Sequence, residues 1–229
     1  MKHADLVAPQ RGVAHARNLL RWVSSSLYRL DVRGIHQVPT QGPVILAANH
    51  VGFLDGPLLL AVAPRPTHVL AKSELFASRL RPLLSWAGQI SVDYRQPDRR
   101  ALHSAVATLQ AGHAVGIFPE GHRSTGAMDY ARSGVGYLAA KTGAPVVPVA
   151  IMGTRHSGKS ADWVPRPGAH LAVVFGQALA LGEVSLTSVA INEATERIRV
   201  AVAEHVRTSV ARTGVPLPTD VIEHPEDFI

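Results

Sequence analysis

Residues 44–62, VILAANHVGFLDGPLLLAV, contain the transition that decides the fold. The short run Val44–Ala48 is continuously apolar, which is typical of a strand buried on both faces of a parallel sheet. Leu58–Val62 follows Asp55-Gly56-Pro57, and a polar cap with an early proline is typical of a helix N-terminus. The stretch therefore predicts a strand–loop–helix unit with polar residues in its loop.

The rest of the chain continues this alternation. Further strands are predicted at His68–Ala71, Gln89–Asp93, Ala114–Phe118, Val146–Ile151 and Leu171–Phe175. Helices are predicted over Glu74–Trp86 with a break or kink at Pro82, and over Pro97–Gln110, Arg132–Thr142 and Asn192–Arg212. Strands that alternate with helices indicate an α/β fold, here a single domain over residues 34–213 with a largely parallel central sheet flanked by helices.

The first 33 residues form an amphipathic N-terminal segment. A helix over residues 13–30 places leucines on one side and arginines on the other, with Trp22 and Tyr28 at the flanks. This pattern suits a helix that docks in a lipid interface, but a surface helix packed on the domain's own core gives the same stripe. Residues 214–229 form an acidic C-terminal tail.

Composition narrows the class of protein. The 229 residues are 46% hydrophobic and 17% charged, which favours one folded domain over disorder. The absence of cysteine excludes disulfides, thiolate metal sites and a thiol nucleophile. The net charge of +6 is compatible with an anionic membrane, with nucleic acid or simply with solubility. No run of 18 apolar residues occurs and arginines interrupt any signal-peptide core, so we expect the protein to stay on the cytoplasmic side.

Polar residues follow the predicted strands at the edge where α/β proteins bind ligands. His50 and Asp55 follow Val44–Ala48, and a histidine held by a carboxylate can act as a general base. Chance alone gives roughly half a His-x4-Asp pair in a chain of this composition, so a purely structural pair remains an alternative.

Three cations follow other strands at the same predicted edge: Lys72, Arg95 and Arg123. An arginine fork suits a phosphate, and backbone amides near Gly121 could add to an anion site. Glu120 either orients Arg123 or binds an acceptor hydroxyl. Each residue alone is more often an ordinary solvated charge or turn residue, but together they indicate a phosphate site beside a general base.

The sequence also restricts the mechanism. It has neither a cysteine nor a Gly-x-Ser-x-Gly elbow, so an acyl-enzyme has no obvious nucleophile. It lacks the Gly-x4-Gly-Lys-Ser/Thr phosphate loop and any metal-binding histidine spacing with a nearby carboxylate. We therefore expect direct attack by a base-activated hydroxyl, with no metal and no bound cofactor.

Four ordered blocks resemble those of the 1-acylglycerol-3-phosphate O-acyltransferases, within the wider glycerolipid acyltransferase superfamily. The blocks are Asn49–Asp55, Gly88–Arg95, Phe118–Ser124 and Val147–Ile151. The resemblance implies that His50 and Asp55 are catalytic and that the fourth block lies near the acyl-binding region. It also implies that six residues bind the acceptor's phosphate and glycerol: Lys72, Arg95, Glu120, Gly121, Arg123 and Ser124. His122, Tyr94 and Ser91 depart from the family's usual residues.

The same resemblance implies a membrane-associated enzyme of phospholipid biosynthesis, peripheral or monotopic at the cytoplasmic face of the cell membrane. It would move a fatty acyl group from acyl-coenzyme A or acyl carrier protein to a hydroxyl of 1-acylglycerol-3-phosphate, giving phosphatidic acid. The expected partners are this membrane lipid, the acyl donor and an anionic membrane surface. A different lysolipid or phosphate-bearing acceptor, or hydrolysis of the thioester by water, are the alternatives. Nucleic-acid binding is not expected, because the basic residues lack interleaved stacking aromatics.

Overall fold

Seven strands form the centre of the protein, which a computed structural model describes over residues 10–220. The strands are β1 (Arg29–Arg33), β2 (Val44–Ala48), β3 (Thr67–Lys72), β4 (Ile90–Val92), β5 (Ala114–Ile117), β6 (Val146–Met152) and β7 (His170–Phe175). The helices are α1 (Gln10–Leu27), α2 (Asp55–Val62), α3 (Ser73–Ala77), α4 (Arg81–Trp86), α5 (Arg99–Gln110), α6 (Gly134–Thr142) and α7 (Ser188–Thr213). The strand order is β1-β7-β6-β2-β5-β3-β4.

The prediction of a largely parallel sheet is confirmed. Every neighbouring pair of strands is parallel except β6 and β7. The strand β2 lies between β5 and β6 and is buried along its whole length, as its continuous apolar run indicated. The carboxyl ends of β2, β3, β4 and β5 therefore meet at one edge of the sheet.

Two apolar layers cover the sheet. Ile45 and Ala47 of β2 point into the layer formed with α5, α6 and α7, whereas Val44, Leu46 and Ala48 point into the layer formed with α1 and α2. This alternation follows from the two-residue period of a strand, and it requires helices on both faces. The fold thus has three layers, with the site edge open at the ends of the central strands.

The sequence placed some element boundaries wrongly. The predicted helix through Leu30 ends at Leu27, because Arg29–Arg33 pairs with β7 and becomes the first strand. The region Glu74–Trp86 is two short helices, and the break falls before Pro82, which lies in the first turn of α4 where a missing amide proton costs nothing. Asp98 caps α5 and accepts from the amides of Arg100 and Ala101.

The N-terminal helix α1 packs on the domain. Val13 and Ala16 are buried beside α2, and the Arg17 side chain, which the sequence placed on the polar side, donates to the carbonyl of Ala63. No helix among residues 10–220 is long and apolar enough to cross a bilayer. Of the predicted acidic tail, residues 214–220 are described, and the remainder lies outside the described residues.

Candidate active site

The imidazole of His50 and the carboxylate of Asp55 are in contact. The loop after β2 turns back so that Asp55, the first residue of α2, lies 2.7 Å from His50 Nδ1 through its Oδ2. Asp55 is fully buried, whereas the His50 side chain keeps 19% of its surface exposed. The predicted contact between these two residues is therefore present, with the carboxylate inside and the imidazole at the surface of the site.

The hydrogen bonds of Asp55 define the tautomer of His50. Its Oδ2 accepts from the amides of Val51 (2.7 Å) and Gly52 (2.8 Å), and its Oδ1 accepts from the hydroxyl of Thr154. The carboxylate accepts hydrogen bonds from each of these groups and from the imidazole. Nδ1 of His50, which faces it, is therefore the protonated ring nitrogen. Nε2 therefore carries the lone pair and is available as a proton acceptor.

The loop approaches β6 too closely for a side chain at Gly52. A Cβ at this position would lie 2.8 Å from the carbonyl oxygen of Thr154, which is closer than Cβ atoms are found. Asn49 fixes the same approach, because its side chain pairs with both the amide and the carbonyl of Ile151. The chain before and after His50 is thus bound to the end of β6.

Glu120 is a second buried carboxylate, and it holds the backbone of His50. Its Oε2 accepts from the amide of His50 at 2.6 Å, and its Oε1 accepts from the hydroxyl of Ser124 at 2.6 Å. The amide of Ser124 donates in turn to the carbonyl of His50 at 2.8 Å. The loop after β5 therefore binds the backbone of His50 on both sides, and the ring of Phe118 stacks on the imidazole at 4.2 Å.

These contacts show where three of the residues predicted to bind the acceptor lie. Glu120 has 3% of its surface exposed, and its two oxygens accept from the His50 amide and the Ser124 hydroxyl. The amides of Gly121 and Ser124 donate to Phe118 and His50 and are not directed at an anion. Sequence spacing could not show the contact between Glu120 and His50, because the two residues are 70 positions apart and belong to different loops.

A cavity of about 490 Å³ opens beside His50. Four of the predicted residues line it together with His50, namely Lys72, Arg95, Gly121 and Arg123. The parallel strands β2, β3, β4 and β5 bring them together, as the sequence predicted. Asp55, Glu120 and Ser124 lie behind this surface and act on it through His50.

Two of the cations lining the cavity are bound to carboxylates. Arg123 donates to Asp162 at 2.6 Å and to the carbonyl of Ala161, both in the loop after β6. Arg95 lies 3.4 Å from Glu74 at the rim and is largely exposed. The carboxylates of Asp162 and Glu74 are exposed to solvent. A phosphate dianion can therefore compete with them for the two arginines.

The remaining wall of the cavity is apolar. It comes from α1, α3 and α4 and from β3, and includes Leu19, Leu20, Leu75, Leu83 and Leu84. The fourth sequence block, Val147–Ile151, does not line it, because β6 lies in the middle of the sheet and its side chains fill the two core layers. The cavity therefore has one basic side, which includes His50, and an apolar side that can accept a hydrocarbon chain.

The family model described as Acyltransferase matches residues 29–152, more than half of the chain. The chain belongs to the acyltransferase family. The matched range includes every site residue predicted from the sequence. The sequence analysis missed Thr154 and Arg155, which lie just beyond this range. Their position directly after the central strand β6 was the signal that could have identified them.

Two relatives with similar sequences are named 1-acyl-sn-glycerol-3-phosphate acyltransferases. The chain is 32% identical over 144 residues to a chloroplastic 1-acyl-sn-glycerol-3-phosphate acyltransferase of Brassica napus, covering 58% of this chain and 41% of that protein. It is 33% identical over 126 residues to the human 1-acyl-sn-glycerol-3-phosphate acyltransferase alpha, covering 53% and 44%. The matches thus span less than half the length of these curated relatives.

The fold is similar to a crystal structure of the 1-acyl-sn-glycerophosphate acyltransferase from Thermotoga maritima. The TM-score is 0.69 at 25% sequence identity, with 87% of this chain and 80% of that chain covered. Over most of its length, this chain therefore has the same α/β architecture as the Thermotoga maritima protein.

The buried Glu120 makes the stability of the protein depend on pH. Burial raises its pKa from 4.5 to about 7, although hydrogen bonds from Ser124 and His50 oppose the change. The folded state thus binds the proton of Glu120 more tightly than the unfolded state does. The stability that Glu120 contributes to the folded state is therefore fully present below pH 4.5 and is lost as the pH rises through 7. Relative to wild type, Glu120→Gln should gain roughly 3 kcal/mol of unfolding free energy between pH 4.5 and 8, measured by urea denaturation.

Glu196→Gln is the control for this experiment. A hydrogen bond from Arg199 lowers the pKa of the exposed Glu196, so this variant should show no such rise above pH 4.5. A flat difference between Glu120→Gln and wild type across the interval would contradict the raised pKa.

Proposed function

We propose that the protein transfers a fatty acyl group from a thioester donor to a hydroxyl of 1-acylglycerol-3-phosphate. The observation that carries the proposal is that His50, whose Nδ1 is bound to Asp55, lines one cavity together with the basic residues Lys72, Arg95 and Arg123 and with apolar side chains. A lysophosphatidate acceptor has the matching parts, because its phosphate, its free hydroxyl and its acyl chain are adjacent. The similar acyltransferases named above support the same acceptor.

His50 is the general base of the proposed reaction. Its Nε2 removes the proton from the acceptor hydroxyl while that oxygen forms a bond to the thioester carbonyl carbon. The carbon–sulfur bond then breaks, and the proton passes from His50 to the departing thiolate. Asp55 holds the imidazole in the required tautomer and stabilises its positive charge, and such base catalysis is worth about 10²–10⁴ in rate.

Acyl-coenzyme A or acyl carrier protein is the proposed donor, and no metal or resident cofactor takes part in the proposed steps. The acyl chain fits the apolar wall formed by α1, α3 and α4. The phosphate of the acceptor replaces the carboxylate of Asp162 on Arg123, with Lys72 and Arg95 nearby. Because Asp162 is largely exposed, it can turn towards solvent at little cost.

The first test is thiol release from palmitoyl-coenzyme A with and without lysophosphatidate. Release by the wild-type protein should require the acceptor, and His50→Ala should lower the rate at least about 100-fold because the base is lost. His103→Ala, at an exposed position on α5, is the matched control and should leave the rate unchanged. Release without acceptor would favour a thioesterase, and more than a few per cent activity in His50→Ala would contradict the role of the base.

The second test concerns the acceptor phosphate. Arg123→Ala should raise the KM for lysophosphatidate about 10- to 100-fold, because one charged hydrogen bond to the phosphate is lost. The kinetics with monoacylglycerol, which has the hydroxyl but no phosphate, should not change. If both acceptors are affected equally, Arg123 does not bind the phosphate.

We also propose that the protein works at an anionic membrane surface through α1 and α4. Trp22 is 69% exposed on α1 and Leu83 is 52% exposed on α4, while Leu19 and Trp86 combine exposure with contact to the cavity. The two helices are adjacent, since the rings of His15 and Trp86 lie 6.4 Å apart. An apolar surface at the mouth of the cavity, with arginines on the same helices, is suited to a lipid interface.

Vesicle binding tests this surface. Trp22→Asp should weaken partitioning to vesicles of phosphatidylcholine and phosphatidylglycerol at least about tenfold, because a large apolar side chain leaves the interface. Val200→Asp makes the same charge change at a half-exposed position on α7, across the sheet, and should bind like wild type. Equal loss in both variants would show that charge alone is measured, and no loss in Trp22→Asp would exclude α1 from the interface.

A further inference from the structure

Arg155 is fully buried three residues after β6, and it donates to four different residues. Its Nε binds the carbonyl of Val51 at 2.9 Å, and its terminal nitrogens bind the carbonyls of Ser124 (3.2 Å) and Lys159 (3.2 Å). The same nitrogens bind the carboxylate and the carbonyl of Asp220, at 2.9 and 3.0 Å. A buried guanidinium is stable only when its donors are satisfied in this way.

Two of these contacts reach the two loops that hold His50. Val51 directly follows the base, and its amide binds Asp55. The amide of Ser124 binds the carbonyl of His50, and its hydroxyl binds Glu120. Arg155 therefore binds the outer side of the same peptide segments whose inner side orients the imidazole.

The packing around these contacts leaves little room for adjustment. A Cβ at Gly126, which has a φ of +77°, would lie 2.3 Å from Val51 Cγ1 and 2.7 Å from the side-chain nitrogen of Asn49. The loop after β5 thus rests directly on the loop after β2. Because the two loops are in contact, a shift of either one moves the other and changes the position of His50.

The segment after α7 closes the far side of Arg155. Asp220 lies 65 positions further along the chain and supplies two of the acceptors. Thr219 beside it exchanges hydrogen bonds with Ser157. The C-terminal segment is therefore bound to the loop after β6 at the point where Arg155 reaches the catalytic loops.

We propose that Arg155, clamped by Asp220, is a positioning residue that sets the geometry of the His50–Asp55 pair. This inference rests on the proposed function, and it assigns a role to residues outside the four sequence blocks. The planar guanidinium offers five donors in fixed directions, which a lysine ammonium cannot reproduce. Its loss displaces both loops, and displacement of a catalytic group by about 1 Å can cost about 100-fold in rate.

The kinetic test compares three variants. Arg155→Lys keeps the charge but not the fork, and should lower kcat about 100-fold while the KM for palmitoyl-coenzyme A changes less than about threefold. Asp220→Asn keeps the shape but weakens the clamp, and should lower kcat about tenfold. Arg207→Gln breaks an exposed arginine–glutamate pair on α7 and serves as the control, with kcat unchanged.

All rates are measured at a temperature where circular dichroism shows each variant to be folded. If Arg155→Lys and Asp220→Asn differ from wild type only in melting temperature, Arg155 has a structural role and the proposal is wrong. A change in KM alone also contradicts it, because a misplaced base acts on the chemical step. If Arg155→Lys does not fold, Asp220→Asn decides, since this substitution removes no buried side chain.

Hydrogen exchange gives a readout that does not require activity. Peptides covering residues 51–56 and 124–127 should exchange faster in both Arg155→Lys and Asp220→Asn than in Arg207→Gln, with α6 unchanged. A wild-type protein without transferase activity would refute the proposed function, and exchange would still show whether Arg155 fixes the loops. Unchanged protection in both segments overturns the positioning role.

Discussion

The buried carboxylate of Asp55 is the constraint on which the site depends. A carboxylate removed from water is costly unless it is fully hydrogen-bonded, and Asp55 meets this condition with two backbone amides, the Thr154 hydroxyl and the His50 ring. These four donors come from the loop after β2 and from the end of β6. Satisfying one charge therefore fixes the loop, the tautomer of the imidazole and the distance between two neighbouring strands.

Glu120 is a second buried acid behind His50, and its environment differs from that of Asp55. Burial dominates at Glu120 and raises its pKa to about 7, whereas the hydrogen bonds from Ser124 and from the His50 amide favour the carboxylate and oppose this rise. It binds the backbone of His50 and leaves the imidazole to Asp55. The imidazole is thus oriented by one carboxylate while its peptide group is positioned by the other, and Arg155 joins both loops from outside.

The parallel sheet brings the polar residues of the site together at one edge. The parallel strands β2, β3, β4 and β5 end beside one another, so His50 and three cations lie at one edge of the sheet. The apolar wall comes from other elements, the helices α1, α3 and α4. The cavity beside His50 therefore combines a basic edge with an apolar wall.

The sequence by itself determined the fold class, the central strand and the position of the polar site edge. These follow from local patterns: the apolar run Val44–Ala48 is buried on both faces, and the residues after it, His50 and Asp55, belong to one short loop. Only the tertiary structure decided the partners of Glu120, Arg123 and Arg155. Glu120 reaches His50 over 70 positions, Arg123 reaches Ala161 over 38 and Arg155 reaches Val51 over 104, and no local spacing encodes a contact that depends on how separate loops pack. The strand Arg29–Arg33 was missed for the same reason, since its extended form depends on pairing with β7.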